Sequence, residues 1–218
     1  MLVSFMDKIN YYLKGEEIIK TFNGKKPTLL MHVCCAPCSC YPLTYLIKYF
    51  DVTVHYNNSN IYPASEWELR RKELIKFIDD FNRDYKANVK LIIKDYNHEE
   101  FMKELAPLKD EPERGKRCIL CYTKRMREAW TYAENNNFDY FTTVMTISRQ
   151  KDSQVLNEIG DKLAKEFKHT KYFHSDFKKN DGILKGQKIR DFYKLYQQNY
   201  CGCEYSQIRT NKEVKNNY

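Results

Sequence analysis

Two patterns of apolar residues alternate along this chain. Short runs of the kind that fill a buried strand occur at Thr28–Val33 (TLLMHV), Val52–Asn58 (VTVHYNN), Val89–Tyr96 (VKLIIKDY), Asp139–Thr146 (DYFTTVMT) and Lys171–Phe177 (KYFHSDF). Between them lie segments with helical spacing: about Tyr41 to Phe50, Ser65 to Tyr85 with Ser65 placed to cap it, His98 to Leu105, Leu120 to Asn135, Asp152 to Phe167, and around Gly186 to Tyr196. An amphipathic helix from Met6 to about Phe22 precedes the first strand. Strands that alternate with helices predict an α/β fold, a parallel sheet flanked by helices in one domain. The expected limits are an N-terminal helical extension over residues 1–27, the α/β domain over 28–205 and a polar, frayed tail over 206–218.

Functional groups in open parallel sheets gather where strands end and loops leave for the crossing helices. The first strand here runs directly into Cys34 and Cys35, and the fourth into TTVMTISRQKD, with Arg149 and Lys151 after Ser148. Two loops on one edge are therefore expected to form one site.

Composition narrows the chemistry. The 218 residues are 42% hydrophobic with only 7 Gly and 6 Pro, which argues against disorder. There is no apolar run of about 18 residues, and Asp7, Lys8 and Lys14 stand where a signal peptide needs its apolar stretch. A cytoplasmic protein with no membrane partner is expected. In a reducing compartment, clustered cysteines point to metal ligation or redox work rather than structural disulfides. The eight cysteines are grouped: Cys34, Cys35, Cys38 and Cys40, then Cys118 and Cys121, then Cys201 and Cys203.

Cys34 and Cys35 are adjacent, so both reach one centre only if the chain turns there, and Ala36-Pro37 is read as that turn. With the Cys118-Ile-Leu-Cys121 pair they offer four soft ligands, suited to a tetrahedral zinc or to a four-iron cluster. The adjacent pair favours the cluster. A Cys-x-x-Cys pair also serves as a dithiol redox motif, and Cys40 alone suits a small buried hydrophobe. Cys201-Gly202-Cys203 permits a strained, reducible bridge or further metal ligation.

Taken in order, HVCCAPCS (32–39), SNIYP (59–63), KDEPERGKRC before the second cysteine pair, RCILCY (117–122), DYFTTVMTIS (139–148), SDFKKNDG (175–182) and QNYCGC (198–203) resemble the cobalamin-independent epoxyqueuosine reductases of the QueH family over nearly the whole chain. The resemblance implies a Rossmann-like fold of the adenine nucleotide alpha-hydrolase type. It implies a 4Fe-4S cluster on Cys34, Cys35, Cys118 and Cys121, and a redox-active disulfide or dithiol of Cys201 and Cys203. It also implies a possible additional mononuclear iron at Cys38, where some relatives have Asp. The implied reaction reduces epoxyqueuosine to queuosine at the first anticodon position of tRNA, the last step of that modification. The implied partners are the GUN-anticodon tRNAs for Tyr, His, Asn and Asp and an electron donor of unstated identity.

The net charge of +8, from 37 Lys and Arg against 29 Asp and Glu, suits a polyanionic partner and simple solubility alike. Candidate phosphate contacts are Arg149, Lys151, Lys178 and Lys179, against the reading of solvated surface charge. Tyr62, Tyr122 and Tyr200 are candidate stacking partners for an unstacked base, against ordinary packing. Two rivals stand beside the reductase. A nucleotide-activating enzyme needs a glycine-rich loop after the first strand, where this chain has HVCCAPCS. A zinc-stabilised RNA-binding module would make every cysteine pair structural.

Overall fold

Strand β1 (Thr28–His32) lies at the centre of the sheet. In the computed structural model, which describes residues 8–207, it pairs in parallel with β2 (Asp51–Tyr56) on one side and β4 (Tyr140–Thr143) on the other. β3 (Lys90–Ile93) adds outside β2, and β5 (Lys171–Tyr172) outside β4. The result is a five-stranded parallel sheet in the order β3-β2-β1-β4-β5, the α/β fold expected from the alternation.

Among the described residues the helices that accompany it are α1 (Tyr11–Lys20), α2 (Ala36–Leu46), α3 (Ala64–Tyr85), α4 (His98–Lys103), α5 (Lys116–Asn135), α6 (Ser153–Leu163) and α7 (Gly182–Phe192). Side chains along a strand alternate between faces, so β1 feeds two cores. Leu29 and Met31 pack with Leu43 of α2 and Phe77 and Phe81 of α3, whereas Leu30 packs with Met126 and Trp130 of α5 and Leu156 of α6. Both faces of the sheet are thus covered, which is why its strands carry apolar runs rather than alternation. None of the helices among the described residues is long and apolar enough to cross a membrane.

Several expected limits move. α2 begins at Ala36, five residues before the expected Tyr41, because Pro37 sits in its first turn, where a missing N–H costs nothing, instead of making a free turn. Pro63, not Ser65, is the N-cap of α3, and it provides no side-chain cap. α5 starts at Lys116 and α7 at Gly182, each four residues early. β4 stops at Thr143, where the threonine hydroxyl accepts from the Met145 N–H and turns the chain into a 3-10 segment, Val144–Ile147. The N-terminal helix begins at Tyr11, later than the expected Met6, because Asn10 caps it, its Oδ1 accepting from the Leu13 N–H; the tail beyond Gln207 falls outside the described residues.

The return from α6 to β5 is tied to the end of α5 by one carboxylate. Glu134 accepts from the backbone N–H groups of Lys168 (2.9 Å), His169 (3.0 Å) and Thr170 (2.8 Å). Burial pushes its carboxyl up, but the backbone donors more than reverse this and hold its pKa at about 2. A depressed carboxyl contributes stability above its unfolded pKa of about 4.3 and loses it as pH falls toward the folded value. Glu134→Gln is expected to cost about 1–2 kcal/mol at pH 7. In urea unfolding, the difference between wild type and variant should shrink steadily from pH 5 to pH 2.

Candidate metal centre

The strand order reverses between β1 and β4, and the loops leaving their carboxyl ends part there into a crevice. The β1 loop delivers Cys34, Cys35 and Cys38. Cys35 is extended (φ −171°, ψ 162°) and caps α2, which places Cys38 in the first helical turn. The three sulfur atoms lie within 4.8 Å of one another, with Cys34 Sγ to Cys35 Sγ at 3.8 Å and Cys35 Sγ to Cys38 Sγ at 2.8 Å. On the other side Gly115 is the N-cap of α5, which carries Cys118 and Cys121 in its first two turns, both buried. A side chain at Gly115 would meet the Glu111 carboxylate at 2.8 Å and the Pro112 carbonyl at 3.0 Å, so glycine allows the loop to fold against the helix start. Helix N-termini present free N–H groups and a positive dipole end, and both cysteine groups sit at such an end.

The KDEPERGKR loop is gathered by Arg117, whose Nη1 donates to the carbonyls of Lys109 (2.7 Å) and Glu111 (2.6 Å). The same guanidinium stacks on Tyr205, 4.3 Å from its ring centre. Tyr205 follows Cys203, so this contact holds the third cysteine group from the α5 side. From the α3 side, the Tyr62 N–H donates to the Gly202 carbonyl (2.8 Å) and the Tyr200 hydroxyl to the Tyr62 carbonyl (2.7 Å). Gly202 has φ +118°, and a Cβ there would meet Arg70 Nη1 at 3.0 Å, so only glycine fits between the two cysteines. Cys201 lines a cleft of about 650 Å³ together with Cys34, Cys38, the Ser148–Lys151 loop and Tyr200. It also lines a smaller one of about 250 Å³ with Cys118 and Cys203.

Cys34, Cys38, Cys118, Cys201 and Cys203 line these two clefts, Cys35 lies against Cys34 and Cys38, and Cys121 is buried one turn beyond Cys118, while Cys40 is buried in the core. The close-packed sulfur trio takes in Cys38 and leaves Cys118 and Cys121 outside its 4.8 Å radius. All eight thiols are free.

The remaining expected residues separate. Arg149 is exposed on the rim of the larger cleft. Lys151 is only 8% exposed and lies over the buried Tyr122 ring at 5.8 Å. Lys178 donates to the Thr146 carbonyl (2.7 Å) and pairs with Asp176, whereas Lys179 is exposed. Tyr62 is 41% exposed, and Tyr200 lies against Arg70.

Sequence reading missed a buried polar network under the cysteines. Arg125, one helical turn beyond Cys121, donates through Nη2 to Asn58 Oδ1 and contacts His32 Nε2 at 3.3 Å. Asn58 in turn donates to the Val33 carbonyl, just before Cys34. Burial above all, with Arg125 adding, keeps His32 well below its usual pKa. The neutral ring then accepts from Arg125 and donates through Nδ1 to Thr143 Oγ1 (2.7 Å). The signal available was the spacing 118, 121, 122, 125, which sets an arginine on the cysteine-bearing face of α5. Gln198, whose Nε2 donates to Cys35 Sγ at 3.3 Å, left no such signal.

Hydrogen bonds from Cys35 and Cys38 pull the Cys34 thiol well below its usual pKa, with Lys151 and Arg125 assisting against burial. The same sharing pushes Cys35 and Cys38 up. Soft, closely spaced sulfur donors beside buried cations fit an anionic thiolate metal site, and this cysteine-rich group can hold a metal cluster.

A family model described as "Epoxyqueuosine reductase QueH" matches residues 29–209. Proteins of that name share 39% identity over 201 residues in Streptococcus pyogenes serotype M1 (91% of this chain, 78% of the relative) and 36% over 212 residues in Staphylococcus epidermidis (95% and 89%). A third, from Staphylococcus aureus, is 35% identical over 223 residues (95% and 91%).

Metal uptake should displace the protons held on the raised thiols of Cys35 and Cys38. Titrating the metal-free chain with cadmium in a weakly buffered solution should release about two protons from this trio, and Cys38→Ala about one fewer. Equal release from both proteins would contradict the assignment.

Proposed function

This chain belongs to the epoxyqueuosine reductase QueH family, and from that membership we propose that it reduces epoxyqueuosine to queuosine at the first anticodon position of tRNA, at the crevice between β1 and β4. The observation that carries the reading is the meeting of Cys34, Cys35 and Cys38 at the end of β1, within reach of two buried cations and facing a cleft. Cys34, Cys35, Cys118 and Cys121 would hold a 4Fe-4S cluster, and Cys38 an additional mononuclear iron beside it. When bound, such a centre supplies electrons singly and a Lewis acid for the epoxide oxygen.

The rest is the work of the chain's own residues. Opening the epoxide to an alkene consumes two electrons and two protons and releases water. Oxidation of Cys201 and Cys203 from dithiol to disulfide releases the same two electrons and two protons. The tyrosine and arginine clamps on either side hold this pair at the smaller cleft, with Cys201 lining the larger one as well. Lys151 stays charged: burial opposes the ammonium, but Cys201 and Cys34 outweigh it and hold its pKa above the usual value. It is therefore a fixed charge rather than the proton source.

The larger cleft has the size of a pocket for one small ligand, which suits a single base turned out of the anticodon loop. Tyr62 and Tyr200 are the rings placed to stack on it or its neighbours, and Arg149 and Lys179 are the exposed cations for phosphate. Lys178, already committed to Thr146 and Asp176, orders the loop next to them. The substrates are the GUN-anticodon tRNAs for Tyr, His, Asn and Asp.

In a single turnover on epoxyqueuosine-containing tRNA, with the metal centre reduced beforehand, the wild type should remove one oxygen from the nucleoside as read by mass. Cys201→Ser and Cys203→Ser should each cut that yield at least tenfold; full yield from both excludes the dithiol from the chemical step. Separately, Arg149→Ala and Lys179→Ala should each weaken tRNA binding and lower the slope of log K against log salt by about 1. Unchanged slopes would remove these residues from the RNA interface.

A further inference from the structure

Two cations at the centre lack the partner that a buried charge normally has. Arg125 is 2% exposed, and its hydrogen-bond partners, Asn58 and His32, bring no carboxylate. Its Nε has no partner among the described residues. Lys151 is nearly as buried and lines the larger cleft beside Cys34 and Cys38. Neither takes part in any ion pair with a carboxylate among the described residues, whereas the similarly buried Arg70 pairs with Glu66 at 2.7 Å. The two cations also approach from different elements. Arg125 is on α5, on the face that carries Cys118 and Cys121, and is linked through His32 to the strand that ends in Cys34. Lys151 comes from the loop after β4.

The groups that face them are sulfur. Arg125 follows Cys121 by one turn of α5, and Lys151 lines the larger cleft with Cys34, Cys38 and Cys201. Such an arrangement is stable when the sulfur side is anionic. A cluster held by four thiolates carries net negative charge, which increases by one when it accepts an electron. Fixed positive charge in a site shielded from water favours that step, because net charge and solvent exposure set cluster potentials.

We propose that Arg125 and Lys151 are the built-in counter-ions of the metal centre and that each raises its reduction potential. This rests on the iron–sulfur reading above. His32 and Asn58 act as positioning residues that hold the guanidinium without neutralising it.

The test compares wild type, Arg125→Met, Arg125→Lys and Lys151→Met, each purified and reconstituted without oxygen. Iron and sulfide are counted, and each protein is titrated with dithionite while the reduced cluster is followed by electron paramagnetic resonance. With cluster content retained, Arg125→Met and Lys151→Met should each lower the reduced-to-oxidised ratio at the wild-type midpoint about tenfold, equivalent to about 59 mV for one electron. Arg125→Lys, which keeps the charge, should restore most of the loss. Intact clusters with wild-type midpoints in both methionine variants overturn the inference and leave the iron–sulfur reading standing. A wild-type chain that takes up zinc and no sulfide overturns both. If Arg125→Met does not fold, Lys151→Met decides alone, since it changes a loop residue at the cleft. An unchanged midpoint in Lys151→Met with weakened tRNA binding would assign that lysine to phosphate and overturn its part.

Discussion

The pairing of β1 with β2 on one side and β4 on the other is the constraint on which the rest depends. A central parallel strand must have both faces covered, so its connections leave toward opposite layers, and the sheet opens a crevice where they part. In doubly wound sheets that bind nucleotides, that crevice meets a glycine-rich loop and a helix N-terminus. Here the same position holds a cysteine-bearing loop, and the helix N-terminus of α2 serves thiolates instead of phosphate. The period of the strand then decides what lies beneath. Leu30 and His32 point toward α5, and His32 meets Arg125 there.

Charge sets the second condition. Taking a guanidinium out of water costs several kcal/mol unless something anionic answers it. With no ion pair to a carboxylate at Arg125 or Lys151 among the described residues, the answer falls to the thiols, and the two cations assist the hydrogen bonds from Cys35 and Cys38 in lowering the pKa of Cys34. The site's preference for soft cations and its preference for negative charge are thus separate properties. The first comes from sulfur and the second from the buried nitrogens of Arg125 and Lys151. Two clamps, Tyr62 with Tyr200 and Arg117 with Tyr205, then hold the last cysteine pair, from a distant part of the chain, where Cys201 lines the cleft of Cys34 and Cys38 and both line the cleft of Cys118.

The sequence made the alternation of strands and helices legible because apolar runs in a sheet covered on both faces are short, dense and separated by helical spacing. It also placed Cys34 and Cys35 at a strand end, since TLLMHV stops directly at them. Helix starts were less legible. Pro37 and Pro63 mark helix beginnings through the absence of an N–H, a cue that a turn shares. Arg125 was hidden among other basic residues of a charged helix, where one buried arginine has the same letter as an exposed one. Lys151 was hidden in the same way, since only the packing of the β4 loop against Tyr122 removes it from the surface. Asn58 and Gln198 act through single hydrogen bonds across long sequence separations, which no local pattern encodes.

The central claim is that loops from β1 and α5 build one iron–sulfur centre in this crevice. Its most direct test is the iron, acid-labile sulfide and zinc content per chain after anaerobic purification and reconstitution, compared between wild type and Cys118→Ala. About four iron and four sulfide in the wild type, with loss of the cluster in the variant, is the predicted result. Stoichiometric zinc with no sulfide, or a cluster that persists without Cys118, would contradict it.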